Sequence, residues 1–137
     1  VNEMVNSMNV LVLAYLGDCI YEVYVRKYLI EQGIGKVQNL QKESIKYVSA
    51  KGQSQFLKEM IDQNLLTEEE INLVKRARNH KSAHRPKNTD IITYKQATGL
   101  EALIGYLELT NNQKRIEEIM SWILGGTLCI SMEKMSQ

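Results

Sequence analysis

The chain has 137 residues, 17 Lys and Arg against 16 Asp and Glu, and 44% hydrophobic residues. That length suits one domain, residues 1–137, with a self-sufficient core, and a net charge of +1 excludes an acidic or basic tail protein. Ordinary apolar content excludes disorder, and the two charge-free stretches, Met4 to Gly17 and Ile119 to Met132, fall short of the ~20 apolar residues of a membrane span.

Strand signals are nearly absent, whereas a 3.6-residue period recurs throughout. From Asn9 to Gln32, Val12, Leu16, Ile20 and Val23 follow one another at helical steps until Gly33 and Gly35 end the segment. Asn39 to Ala50 and Ser54 to Gln63 read as shorter amphipathic helices. Thr67-Glu68-Glu69-Glu70 is a capping box that opens a helix running to about Asn79. Residues 80–92 hold the only proline, Pro86, and read as a loop; helices follow from Thr93 to Thr110 and from Gln113 to Met132, the latter strained by Gly125-Gly126. The class is all-α, with six or seven helices. Cys19 and Cys129, set in apolar surroundings without a metal-ligand spacing, read as reduced core thiols. The chain opens on Val1 rather than Met, so some native N-terminal residues are expected to be missing.

Ala14, Asp18 and Glu22 form one stripe on the first long helix, beside Gly17; Thr98, Glu101, Ala102 and Gly105 form another on the later helix. Small residues let helices approach closely. If these faces meet, Asp18 and Glu101 come together in an apolar setting, where two unpaired carboxylates repel and resist desolvation. A divalent cation with few protein oxygens and several waters relieves that conflict, and Mg²⁺ suits it. Ion pairing is the competing explanation, with Glu22 on Arg26 and the other two carboxylates capping or bridging.

The run Leu13-Ala14-Tyr15-Leu16-Gly17-Asp18-Cys19-Ile20-Tyr21-Glu22 resembles the signature helix of the ribonuclease III family, whose usual form is L-E-F-L-G-D-A-V. Thr98-Gly99-Leu100-Glu101-Ala102-Leu103-Ile104-Gly105 resembles its second motif, D-x-x-E-A-L-x-G. The likeness is greatest to Mini-ribonuclease III, the short bacterial branch made of the catalytic domain alone. It extends through Tyr47 to Lys51, Thr67 to Glu70, Arg78-Asn79 and Pro86 to Asp90. Ala14 stands where the long enzymes carry Glu, and Thr98 where they carry Asp, which leaves two carboxylates per centre rather than four.

The resemblance implies a ribonuclease III-type endonuclease domain in which Asp18 and Glu101 are catalytic and hold Mg²⁺. It implies a homodimer whose two centres each cut one strand of double-stranded RNA, leaving a 5′-phosphate and a 3′-hydroxyl. For the Mini branch it implies a cytoplasmic enzyme maturing the large-subunit (23S) ribosomal RNA precursor, with a ribosomal protein on the substrate as helper. A chain of 137 residues leaves no room for the double-stranded-RNA-binding domain of the long enzymes. A non-catalytic RNA-binding module on the same fold is the alternative; it is favoured by Ala14 and Thr98 and opposed by the presence of both carboxylates.

No acidic residue occurs from Ile71 to Thr89, and six of the chain's 17 Lys and Arg lie there. Local clustering of this kind lets a near-neutral protein meet a polyanion. Arg76, Arg78, Lys81, Arg85 and Lys87 are candidates for phosphate contact, and Asn79 and Asn88 for 2′-hydroxyls in the wide minor groove of A-form RNA. A solvated helix end favoured by the macrodipole is the plainer explanation. His80 and His84 lack a third ligand for zinc. Tyr21, Tyr24 and Tyr28 are expected in a core or subunit interface, with Tyr15, Tyr21 or Tyr24 at the two-fold contact, and Phe56 and Trp122 in the core.

Overall fold

The computed structural model describes residues 2–80 and 90–125, and seven helices run through them. They are α1 (Asn2–Asn6), α2 (Val10–Glu31), α3 (Val37–Val48), α4 (Ala50–Asp62), α5 (Glu68–Arg78), α6 (Ile91–Leu109) and α7 (Gln113–Ile123). No strand occurs among the described residues.

Four of these helices start where a side chain accepts from an unpaired backbone N–H, the usual N-cap device. Asn9 accepts from Leu11 at 2.8 Å, Ser49 from Gly52 at 3.1 Å and Asp90 from Thr93 at 2.9 Å. At Thr67 the capping box closes in both directions, with Thr67 N–H donating to Glu70 Oε1 at 2.9 Å and Glu70 N–H to Thr67 Oγ1 at 3.1 Å. These caps move two boundaries from their expected places: α4 begins at Ala50 because Ser49 caps it, and α6 begins at Ile91 because Asp90 does. The last helix, expected to reach Met132, stops at Ile123, since Gly125 takes a left-handed φ of +77° that a helix cannot continue through. Short α1 carried no sequence signal that distinguished it.

The central element is α6, buried along much of its length and packed most extensively on α2, then on α5 and α4. Leu13, Tyr21, Leu57, Met60, Leu100, Leu103, Ile104, Ile116 and Met120 are the largest fully enclosed side chains around it. At the contact between α2 and α6 the backbones touch. A Cβ built at Gly17 would collide with the Glu101 carbonyl, and one built at Gly105 with the Leu13 carbonyl. Only glycine fits at either point, so the seam fixes α2 and α6 in one register.

The side of α2 that faces this core carries Leu13, Ala14, Gly17, Tyr21, Val25 and Leu29. The period formed by Val12, Leu16, Ile20 and Val23 runs off this side: Val12 and Val23 are exposed, Leu16 is half-buried, and Ile20 packs at the edge of the core. Cys19 is exposed, which corrects its reading as a core thiol; the apolar residues around it in sequence, Gly17, Ile20 and Tyr21, turn toward the core while its own position turns away. Cys129 lies outside the described residues. With Val12 51%, Tyr15 84% and Ile30 60% exposed, α2 is apolar on both faces, the pattern of a helix that is covered twice.

Candidate active site

The glycine seam sets the position of the two motif carboxylates. Asp18 follows Gly17 on α2, and Glu101 lies on α6 where its own carbonyl meets Gly17. Their carboxyl groups are brought within hydrogen-bonding reach of each other, the exposed Asp18 at the mouth and the half-buried Glu101 behind it. Burial, and then the proton-sharing contact with Asp18 and its charge, push the Glu101 carboxyl up to about 9; contact with Gln53 opposes the rise. Two carboxyls at this distance cannot both ionise without help.

Both open onto a cleft of about 260 Å³ lined by Leu11, Ala14, Tyr15, Asp18, Tyr94, Thr98 and Glu101. The two positions at which the motifs depart from the long enzymes therefore face the same space. Ala14 leaves it open, and Thr98 donates its hydroxyl proton to the Tyr94 carbonyl one turn back, at 3.0 Å. Glu22 is not part of the cleft; it pairs with Arg26 at 3.2 Å on the surface.

Tyr21 is fully buried, and its hydroxyl donates to the Tyr47 carbonyl at 2.6 Å, joining α2 to the end of α3. Burial and then the neighbouring Glu101 push its phenol well above the usual range. A residue so enclosed cannot contribute to a subunit contact, which corrects that expectation. Tyr24 and Tyr28 are half-buried against the core, as are Phe56 and Trp122, and the Tyr47 ring stacks on Phe56 at 5.9 Å.

The fit to a hard cation can be judged from the donor set. Among the described residues, no group of three or more His, Cys, Asp or Glu could hold a metal ion. Two crowded carboxylates and an open cleft suit a cation that keeps most of its waters, as Mg²⁺ does, and do not suit zinc.

The basic segment is divided between places. Arg76 Nη1 donates to the Asn6 carbonyl at 3.1 Å, beside a separate cleft of about 520 Å³ lined also by Glu70 and Arg115. Arg78 is half-buried in a small hollow with Lys58, Asp62 and Gln96, and Asn79 is exposed at the end of α5. Lys81, His84, Arg85, Lys87 and Asn88 lie outside the described residues. Neither Arg76 nor Arg78 lines the carboxylate cleft.

Two site neighbours escaped the sequence reading. Tyr94 extends the Thr98–Glu101 stripe back by one turn, so the spacing contained it. Gln53 shares its buried face of α4 with Leu57 and Met60, and a polar residue at such a position was the available signal.

Residues 11–112 match the family model described as Ribonuclease III domain. The chain is 42% identical over 120 residues to Mini-ribonuclease 3 of Streptococcus pneumoniae, covering 88% of this chain and 94% of that protein. It is 46% identical over 118 residues to Mini-ribonuclease 3 of Enterococcus faecalis, covering 86% and 89%. A crystal structure of a Fusobacterium nucleatum protein superposes with a TM-score of 0.78 at 35% identity, covering 90% of this chain and 98% of that one.

Proposed function

The chain belongs to the ribonuclease III family, in its Mini branch, and is an endoribonuclease; from that premise we propose that it cleaves double-stranded RNA with Mg²⁺ held between Asp18 and Glu101. The observation that carries this reading is the apposition of these two carboxyls at the glycine seam, where no cationic side chain among the described residues lines the cleft to neutralise them. A divalent cation at this point supplies an activated water and offsets charge developing on the phosphorus oxygens. The chain's own contribution is geometric. Gly17 and Gly105 fix the carboxylate spacing, Ala14 and Thr98 leave the cleft open to a phosphate, and Tyr94 forms its wall.

One chain offers one such centre, and duplex cleavage needs two. The exposed apolar stripe of Val12, Tyr15, Cys19, Val23 and Ile30 on α2 supports an isologous homodimer, which places a second centre by symmetry. We further propose, from the motif resemblance to the Mini branch, that the substrate is the 23S ribosomal RNA precursor, processed in the cytoplasm with a ribosomal protein as helper. No helix among the described residues is long and apolar enough to cross a membrane.

Long duplex RNA incubated with the protein should be cut with Mg²⁺ and left intact without it, and light scattering should report a dimer. Binding of RNA without cleavage in Mg²⁺ would instead establish a non-catalytic module. Contact between the basic segment and phosphate predicts weaker binding when Arg76, Arg78, Lys81, Arg85 and Lys87 are neutralised together. If about four of them meet phosphates, the wild-type slope of log K against log salt lies near −3 to −4, and the variant's is flatter. Weaker binding at an unchanged slope would point to a folding or dimerisation defect instead.

A further inference from the structure

The helix that closes the carboxylate site from behind is α4, and its polar buried residue faces Glu101. Gln53 is 2% exposed, yet its Nε2 has no acceptor at hydrogen-bonding geometry. A buried amide donor left without a partner is costly and rare in a native core. Its side chain abuts the Glu101 carboxyl, across the contact between α4 and α6. The surroundings hold it there. Ser49 caps the first turn of α4, Gly52 packs against the Lys46 carbonyl at the turn from α3, and Ser54 Oγ donates to Gln96 Oε1 on α6 at 2.7 Å. Register between α4 and α6 is thus pinned one residue from Gln53 and five residues from Glu101.

We infer that Gln53 is a positioning residue, whose amide NH₂ donates to one oxygen of Glu101 in the metal-loaded site and thereby holds the other oxygen beside Asp18. This rests on the two-carboxylate metal reading. It gives the orphan donor an acceptor in the loaded state and explains why α4 carries an amide where packing alone calls for an aliphatic residue. Carboxylates that bind metals are themselves commonly fixed by such outer hydrogen bonds, and losing one typically costs about 10- to 100-fold in metal affinity or activity.

The test compares Gln53→Met, of similar shape without the donor, with wild type and Asp18→Asn. Titration with Mn²⁺ alone, followed by calorimetry, should show the Met variant weaker by about 10-fold or more, with an unchanged or raised Tm and unchanged duplex-RNA binding in the absence of metal. In ¹⁵N-resolved NMR, the wild-type side-chain NH₂ signal that the Met variant lacks should shift when Mg²⁺ is added. Should Gln53→Met fail to fold, Gln53→Asn, which keeps the amide but shortens its reach, carries the same expectation, and the NMR shift is read on wild type in any case. Wild-type Mn²⁺ affinity in the folded variant, or an NH₂ signal unmoved by Mg²⁺, overturns the inference while Asp18→Asn still reports the site. A wild-type protein that binds no Mn²⁺ overturns the metal reading, and this inference with it.

Discussion

Two glutamates reach into the protein from neighbouring helices, and the fold treats them oppositely. Glu70, in the first turn of α5, meets a complete set of donors. Arg115 of α7 grips it with Nε and Nη2, both at 2.8 Å, and the Thr67 N–H adds a third bond at 2.9 Å. Burial alone would raise its pKa, but the bonds from Arg115 and Thr67 outweigh it and hold the carboxyl below its usual range. Glu101 is pushed the other way, first by burial and then by the second carboxyl it meets instead of a cation. The same chain therefore satisfies a buried carboxylate where only stability is at stake and leaves one in conflict at the cleft. Local frustration of that kind is where function is to be sought.

The strongest way to break the contrast is to remove the conflict. Asp18→Asn and Glu101→Gln should each lower duplex cleavage by ~10³-fold or more, about 4 kcal/mol of transition-state stabilisation, while the fold and RNA binding persist. Single-turnover cleavage in saturating Mg²⁺ measures this, and full activity in either variant would remove the mechanism.

The complementary change is at the satisfied glutamate. Arg115→Met strands Glu70 and also removes the bond to the Leu65 carbonyl at 2.7 Å. Breaking a buried pair from one side costs about 3–5 kcal/mol when fully buried; with Arg115 27% exposed, a loss near 3 kcal/mol in urea unfolding is expected. Cleavage per folded molecule should be unchanged, and replacing Glu70 by Met as well should recover much of the stability. A cleavage defect that persists in protein shown to be folded would mean the two glutamates are not functionally separate.

The same contrast marks what the sequence could convey. Residues whose roles are local were legible. Thr67 and Glu70 sit at capping spacing, and Gly17 beside Asp18 and Gly105 beyond Glu101 announce a close helix crossing next to two charges. Relations across helices were not. Glu70 carries its cap signature, but nothing in the sequence joins it to Arg115, which is 45 positions away. The direction of α2 was equally hidden, because a helix apolar on both faces has no outward side in its pattern; for that reason Cys19 was misplaced, and Tyr21, expected in a core or a subunit interface, could not be assigned to the core alone. At the end of α7 a Gly-Gly pair signalled weakness without saying that Gly125 would turn the chain there.

The smallest effect is on stability without metal, where the two glutamates should bend the pH profile in opposite directions. Glu70 has a lowered folded-state pKa, so its contribution is present above the unfolded carboxyl value near 4.5 and is lost as pH falls through the folded value. Glu101 has a raised one. Between about 4.5 and about 9 the folded state holds a proton that the unfolded state has released, so its contribution is complete at low pH and is lost as pH rises through that window. Glu101→Gln fixes the neutral form and should flatten the alkaline side alone. Near pH 8 and in chelator, the variant should be the more stable of the two and should melt at the higher Tm. Near pH 4 the two proteins should coincide. Adding Mg²⁺ at pH 8 should raise the wild-type Tm and leave the variant nearly unmoved, since binding stabilises only a fold that has the site. Parallel pH profiles for wild type and variant would mean that neither burial nor Asp18 raises the Glu101 carboxyl in the free protein.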